Sequence, residues 1–230
     1  MGATAVVALR CGDGELADVA GSVRALVLAG WKVVVTAPSG DFAGSLTLAL
    51  GLTRAGRRAI PIVTHALVDP LDPAFAHPPL TVSPEPLGIL ESEAIGALLD
   101  KGFPVVVTGH VPVVPHGDDY REVEAALDGA LAAQRLAGDL GAPVLVYVVD
   151  DDDRLADDGA CASERKAAQR FVAAGGEEAN HTTAAHLVEA VDGQPTPSST
   201  MAKIRATAPI RSIDDVTSGI PWLSGSSPRR

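Results

Sequence analysis

The stretch that most constrains the fold is Lys32 to Leu50, KVVVTAPSGDFAGSLTLAL. Lys32–Thr36 is a β-branched apolar run, too short for a helix and followed at once by Pro38 and Gly40. It reads as a strand covered on both faces. Pro38-Ser39-Gly40-Asp41 is turn chemistry, and Ser39 or Asp41 is placed to cap the helix that runs on through Leu52. Strand, tight turn and helix in this order form the repeating unit of an open α/β sheet. Ligands of such sheets sit at the strand-to-helix turn, where free N–H groups favour anions. Asp41 puts a negative charge in that turn and opposes a phosphate.

The flanking chain repeats the pattern. Thr4–Leu9 is an apolar strand ending in the flexible turn Arg10-Cys11-Gly12-Asp13-Gly14. From Glu15 to Ala29, Leu16, Val19, Val23, Leu26 and Val27 recur at helical spacing, and Gly30 is placed to stop that helix. Arg54–Arg58 reads as a solvated turn and Ala59–Thr64 as a third strand. Strands alternating with helices predict a largely parallel sheet with right-handed crossovers.

A chain of 230 residues suits one α/β domain, or a domain with a small appendage. Its net charge of -11 argues against nucleic acid and anionic membranes as partners. No apolar run is long enough to span a bilayer, and the N-terminus enters a strand without a signal-peptide pattern. With only Cys11 and Cys161, no disulfide framework is implied, and the expectation is a cytoplasmic protein. Lys32, Lys101, Lys166 and Lys203 are the only lysines, few for a protein that handles phosphate.

Two proline-patterned strings follow the third strand: Val68-Asp69-Pro70-Leu71-Asp72-Pro73-Ala74-Phe75 and Thr81-Val82-Ser83-Pro84-Glu85-Pro86. Their prolines read as extended loop rather than as an element. The strings resemble V-D-P-x-D-P-A-F and V-x-S-P-E-P of the carbamate kinases, in the amino-acid kinase superfamily. The similarity continues through a helix at Gly88–Leu99, a strand at Phe103–Thr108, the Tyr120–Asp128 run with a helix after it to Leu140, a strand at Gly141–Asp150, and the late helix around Ala167–Val172 with Gly175-Gly176. It covers about Thr4 to Val191. A stretch after the second strand and a lid-like insertion between the two strings are missing relative to the family.

The resemblance implies a three-layer αβα sandwich with a largely parallel central sheet, of amino-acid kinase type, over residues 1–192. Residues 193–230 form a C-terminal extension. The resemblance also locates the phosphate-facing positions. At the family's A-L-G-G-N-A turn this chain has Ala8-Leu9-Arg10-Cys11-Gly12, and at H-G-N-G-P-Q-V-G only Gly40 and Gly44 remain. The T-K-P-I-G lysine falls near His77–Leu80, where there is none. Val107-Thr108-Gly109-His110 stands for the four-glycine run, and I-D-K-D becomes Leu127-Asp128-Gly129-Ala130. Asp150 is kept, whereas G-S-M-G-P-K becomes Gly159-Ala160-Cys161-Ala162-Ser163-Glu164, with an acid in place of its lysine. Lys166, two positions on, replaces that lysine only if the loop slips.

Gly12, Gly40, Gly44, Gly109, Asp150 and Gly159 thus mark a vestigial nucleotide cleft. Cys11, His110 and Cys161 are its candidate reactive groups. With Asp150 they could make a soft-metal donor set, but their spacings match no metal motif, and they read as small polar fillers of an emptied pocket, with no metal expected. The Asp150–Asp153 run reads as a solvated turn.

Two function classes stay open. One is a catalytically degenerate carbamate kinase homologue acting as a binding, scaffold or regulatory subunit, with no cofactor, as a homodimer or as a heteromer with another enzyme subunit. The other is an enzyme: a divergent kinase of carbamate or a small acid using ATP and Mg, or a repurposed cleft. Within the extension, Ile210, Ile213, Val216, Ile220, Trp222 and Leu223 have the composition of a segment that docks onto protein.

Overall fold

A computed structural model of the chain describes residues 2–10, 15–37, 42–54, 58–70, 82–124, 127–149, 162–193 and 204–205. The strands are β1 (Thr4–Leu9), β2 (Lys32–Thr36), β3 (Ile60–Pro70), β4 (Val82–Ile89), β5 (Val105–His116), β6 (Asp119–Glu122), β7 (Val144–Val148), β8 (Glu178–Thr182) and β9 (Ile204–Arg205). The helices are α1 (Leu16–Leu28), α2 (Phe42–Arg54), α3 (Ser92–Asp100), α4 (Gly129–Asp139), α5 (Ala162–Ala173) and α6 (Leu187–Val191), with a 3-10 turn at Ala184–His186.

One sheet carries them in the order β4-β3-β5-β2-β1-β7-β8-β9, with β6 paired to β5. From β3 to β8 every neighbouring pair is parallel, and the antiparallel strands β4, β6 and β9 lie outside that run. The apolar runs of the central strands feed two cores, because successive side chains point to opposite faces. Ala5, Val7, Val33, Val35, Val144 and Val146 face Val19, Val23, Leu26, Leu48 and Leu187 on one side. Val6, Val34, Val105, Leu145 and Tyr147 face Ile95, Leu99, Leu131, Leu136 and Phe171 on the other. The three-layer αβα arrangement expected from the sequence is therefore observed. Gly30 ends α1 at φ 98°, where Trp31 N–H donates to Leu26 O (3.0 Å).

Three local expectations are corrected. Thr81–Pro86 is not all loop: Val82–Ile89 is a strand that contains Pro84 and Pro86. Proline is tolerated there because β4 is an edge strand, and its pairing with β3 shifts register at Leu67/Val68 and Val68/Pro70. The helix expected at Gly88–Leu99 begins only at Ser92, since Gly88 and Ile89 complete β4. The third strand extends to Pro70 and pairs with β5, which lies between it and β2. Within the C-terminal extension, Ile204–Arg205 pair with β8; Ile210–Leu223 lie outside the described residues. No described helix is long and apolar enough to cross a membrane.

Candidate functional site

The carboxyl ends of β1 and β2 and the amino end of α4 line a pocket of about 160 Å³ that is open to solvent on one side. Leu9, Arg10, Thr36, Ala37, Leu127 and Tyr147 are among its walls. This is the crevice where open α/β sheets bind ligands. The amino end of α4 is already capped. Asp128 accepts from the N–H groups of Ala130 (2.9 Å) and Leu131 (3.2 Å), so a resident carboxylate occupies the donors that an anion would use.

An ion pair with one buried member borders the cavity. Arg10 Nε lies 3.1 Å from Glu164 Oε1, and the Glu164 side chain is only 2% exposed against 46% for Arg10. The second carboxylate oxygen lies 3.3 Å from His181 Nε2, without hydrogen-bonding alignment. The His181 ring stacks on Tyr147 with centroids 5.1 Å apart. Tyr147 donates to Ala130 O (3.2 Å), and burial, with Glu164 and Asp128 adding to it, pushes its hydroxyl well above the ordinary range. It is thus a fixed neutral wall rather than a base.

Of the residues singled out in the sequence, Cys11, Gly12, Gly40, Asp150, Gly159 and Cys161 lie outside the described residues. Gly44 is buried in the first turn of α2. Gly109 and His110 lie on β5 beyond a register shift, and neither lines the cavity. The Thr64 hydroxyl donates to Gly109 O (3.2 Å) and sits 2.7 Å from His110 Nδ1. Among the described residues His110 is held by Thr64 rather than turned into the cleft. No cluster of three or more metal-ligating side chains occurs among those residues. Lys166 does not replace the missing lysine. Residues two apart on a helix face in nearly opposite directions, and Lys166 pairs with Glu85 on β4 (2.8 Å), as does Arg170. These two contacts, Arg170 first, hold the Glu85 carboxyl below its usual range.

His110 makes the first prediction. Burial lowers its pKa from 6.5 to about 4, against a smaller raising effect of Glu91. Below about 6.5 the unfolded chain takes up a proton that the folded chain refuses. Stability should therefore decline as pH falls from 6.5 toward 4, and His110→Gln should flatten that decline in urea titrations at stepped pH.

Sequence reasoning missed the Arg10–Glu164–His181 arrangement. Arg10 and Glu164 were each legible as departures from the family pattern, one a cation and one an anion at turns of the same cleft. That opposite sign was the signal that could have found the pair. His181 carried none.

No family model matches the chain. It is 32% identical over 133 residues to a carbamate kinase-like protein of Escherichia coli strain K12, covering 41% of this chain and 42% of that protein. It is 43% identical over 72 residues to carbamate kinase of Halobacterium salinarum, covering 30% and 24%. The matched region thus spans less than half the length of these curated relatives. Giardia carbamate kinase superposes with a TM-score of 0.69 at 22% identity, over 90% of this chain and 99% of that one. The architecture is an amino-acid kinase fold. Within it, the chain is a homologue of the carbamate kinases.

Proposed function

We propose that this chain is a catalytically degenerate relative of the carbamate kinases that acts as a binding or regulatory subunit of an enzyme assembly. The observation that carries this reading is the Arg10–Glu164 pair. Phosphoryl transfer needs positive charge and close backbone approach around the transferring group. Here an arginine stands where the family pattern has a glycine, and it is matched to a carboxylate where that pattern has a lysine. A second carboxylate, Asp128, holds the α4 N-terminus. Arg10 is thus the cavity's one cationic wall among the described residues, and it is already partnered. These residues do not fit Mg-ATP. An active site that forfeits one preorganised charge slows by about a hundred- to a thousandfold. The purified protein should give no transfer between ATP and carbamate in a coupled assay, and no Mg-ATP heat in calorimetry. Turnover near about one per second, an ordinary enzyme rate, would overturn the reading.

The assembly is proposed to involve a two-fold contact through α2, where Leu46 and Leu50 are 38% and 50% exposed one turn apart. An apolar stripe on an otherwise acidic surface favours self-association or a related partner. The double substitution L46E/L50E should lower the mass seen by light scattering from dimer to monomer. A wild type that is monomeric at micromolar concentration, with no co-purifying partner, would exclude the contact.

A further inference from the structure

We propose that a pocket at the amino ends of β2 and β5 binds a free α-amino acid with a large apolar side chain. The inference goes beyond the proposed function. The pocket lies at the end of the sheet opposite the crevice beside Arg10, and no residue lines both. Two similar turns build it. Leu28-Ala29-Gly30-Trp31-Lys32 closes α1 and enters β2, and Asp100-Lys101-Gly102-Phe103-Pro104 closes α3 and leads into β5. Each glycine takes positive φ, 98° at Gly30 and 80° at Gly102, which stops the helix and turns the chain into the strand. An aromatic residue follows each glycine. Because β2 and β5 are parallel neighbours, the two turns lie side by side. They line a space of about 290 Å³ that is open to solvent on one side. Trp31, Phe103, Val27 and Leu99 are among its apolar walls. The indole is held in place, since Trp31 Nε1 donates to Asp192 Oδ1 (2.9 Å).

The lining carries one charge of each sign. Lys32, the first residue of β2, and Asp100, the last of α3, both border the pocket, and Lys32 Nζ lies 2.6 Å from Asp100 Oδ1. The pair thus joins two walls. Its side chains are 21% and 57% exposed. Partly exposed pairs contribute little, so this one opens at small cost. A ligand with a single charge satisfies one member and leaves the other unpaired. An amino acid brings both charges: its carboxylate takes Lys32 and its ammonium takes Asp100. The last turns of α1 and α3 border the pocket through Val27 and Leu99 and carry no basic residue, so their partial negative charge favours the ammonium. Drug-sized ligands occupy about 300–1,000 Å³. A pocket of about 290 Å³ therefore suits a compact molecule with one ring or a branched chain.

The test is calorimetry on the full chain with phenylalanine, leucine, alanine and glycine. Phenethylamine and 3-phenylpropionate serve as analogues that keep one charge each. Phenylalanine and leucine should bind, with alanine and glycine at least tenfold weaker, because each methylene left unburied loses about fourfold in affinity. Each single-charge analogue should be at least tenfold weaker than phenylalanine. In a Trp222→Phe background Trp31 is the sole tryptophan, and its fluorescence should titrate with the same midpoint as the heat. Lys32→Met and Asp100→Asn should each weaken binding at least tenfold with little change in Tm. Val27→Phe fills the apolar side without altering charge and should abolish binding. Where a charge variant fails to fold, Val27→Phe and the analogues decide. An analogue or glycine that matches phenylalanine, heat without a Trp31 signal, or no binding at millimolar concentration would each overturn the proposal. Kinase turnover in the coupled assay bears on the proposed function alone, so the two fail separately.

Discussion

Arg10→Ala is expected to destabilise the fold by about 3 kcal/mol, read as a lowered urea midpoint at unchanged slope. The substitution removes the exposed member of the pair and leaves the buried one: Glu164 would keep its carboxylate in a site where its side chain is 2% exposed. Removing one partner of a buried pair costs about 3–5 kcal/mol, chiefly through the charge left behind. The lower end applies because Arg10 is half exposed and water already screens the contact. Glu164→Ala should cost less, since Arg10 can turn its guanidinium to solvent. If the two substitutions cost the same, the asymmetry in burial is not what sets the energetics, and the account of the pair is wrong.

Phe171→Ala should cost more, about 4 kcal/mol by the same measurement. Phe171 is 2% exposed at the core side of α5, in a cluster that contains Ala142, Ala167, Ala168 and Ala179. Phenylalanine truncations in cores cost about 3–5 kcal/mol, depending on how far the surroundings collapse into the void. Alanines fixed on helices and strands cannot reach across a missing ring, so the cavity persists. The ring also explains Gly176, where an added Cβ would come within 2.3 Å of Phe171 Cε1. Gly176→Ala should therefore destabilise by about 1–3 kcal/mol through overpacking. In the F171A background that penalty should disappear, a coupling that a double-mutant cycle measures.

How much of this was legible in the sequence depends on what each element buries. β1, β2 and β7 are apolar on both faces, and their runs could be read directly. β8, EANHT, is just as buried, yet its inward groups are Asn180, His181 and Thr182. Asn180 Nδ2 donates to Ala190 O (2.7 Å) on a helix that follows later in the chain, so no local pattern announces the strand. β4 was hidden by Pro84 and Pro86, whose presence excludes a central strand but not an edge. The strand-to-helix turns pointed to the end of the sheet at which the pocket lined by Leu9, Arg10 and Thr36 lies, but not to the contacts made there. The pairing of Arg10 with Glu164 depends on the end of β1 and the start of α5 coming together, which neither residue signals by itself.

The place of β5 between β2 and β3 also has a consequence for synthesis. Translation delivers β1, β2 and β3 first, but β3 has no parallel partner among them. The β1–β2 pair and the β3–β4 pair can each form as they emerge. Both then wait on the ribosome with an open edge turned toward the strand still to come. At about 5–20 residues per second that interval lasts some seconds, and β1 waits longer still for β7. A ribosome stalled before Val105 holds two unjoined half-sheets with apolar faces, the species most exposed to capture by a chaperone or by another nascent copy.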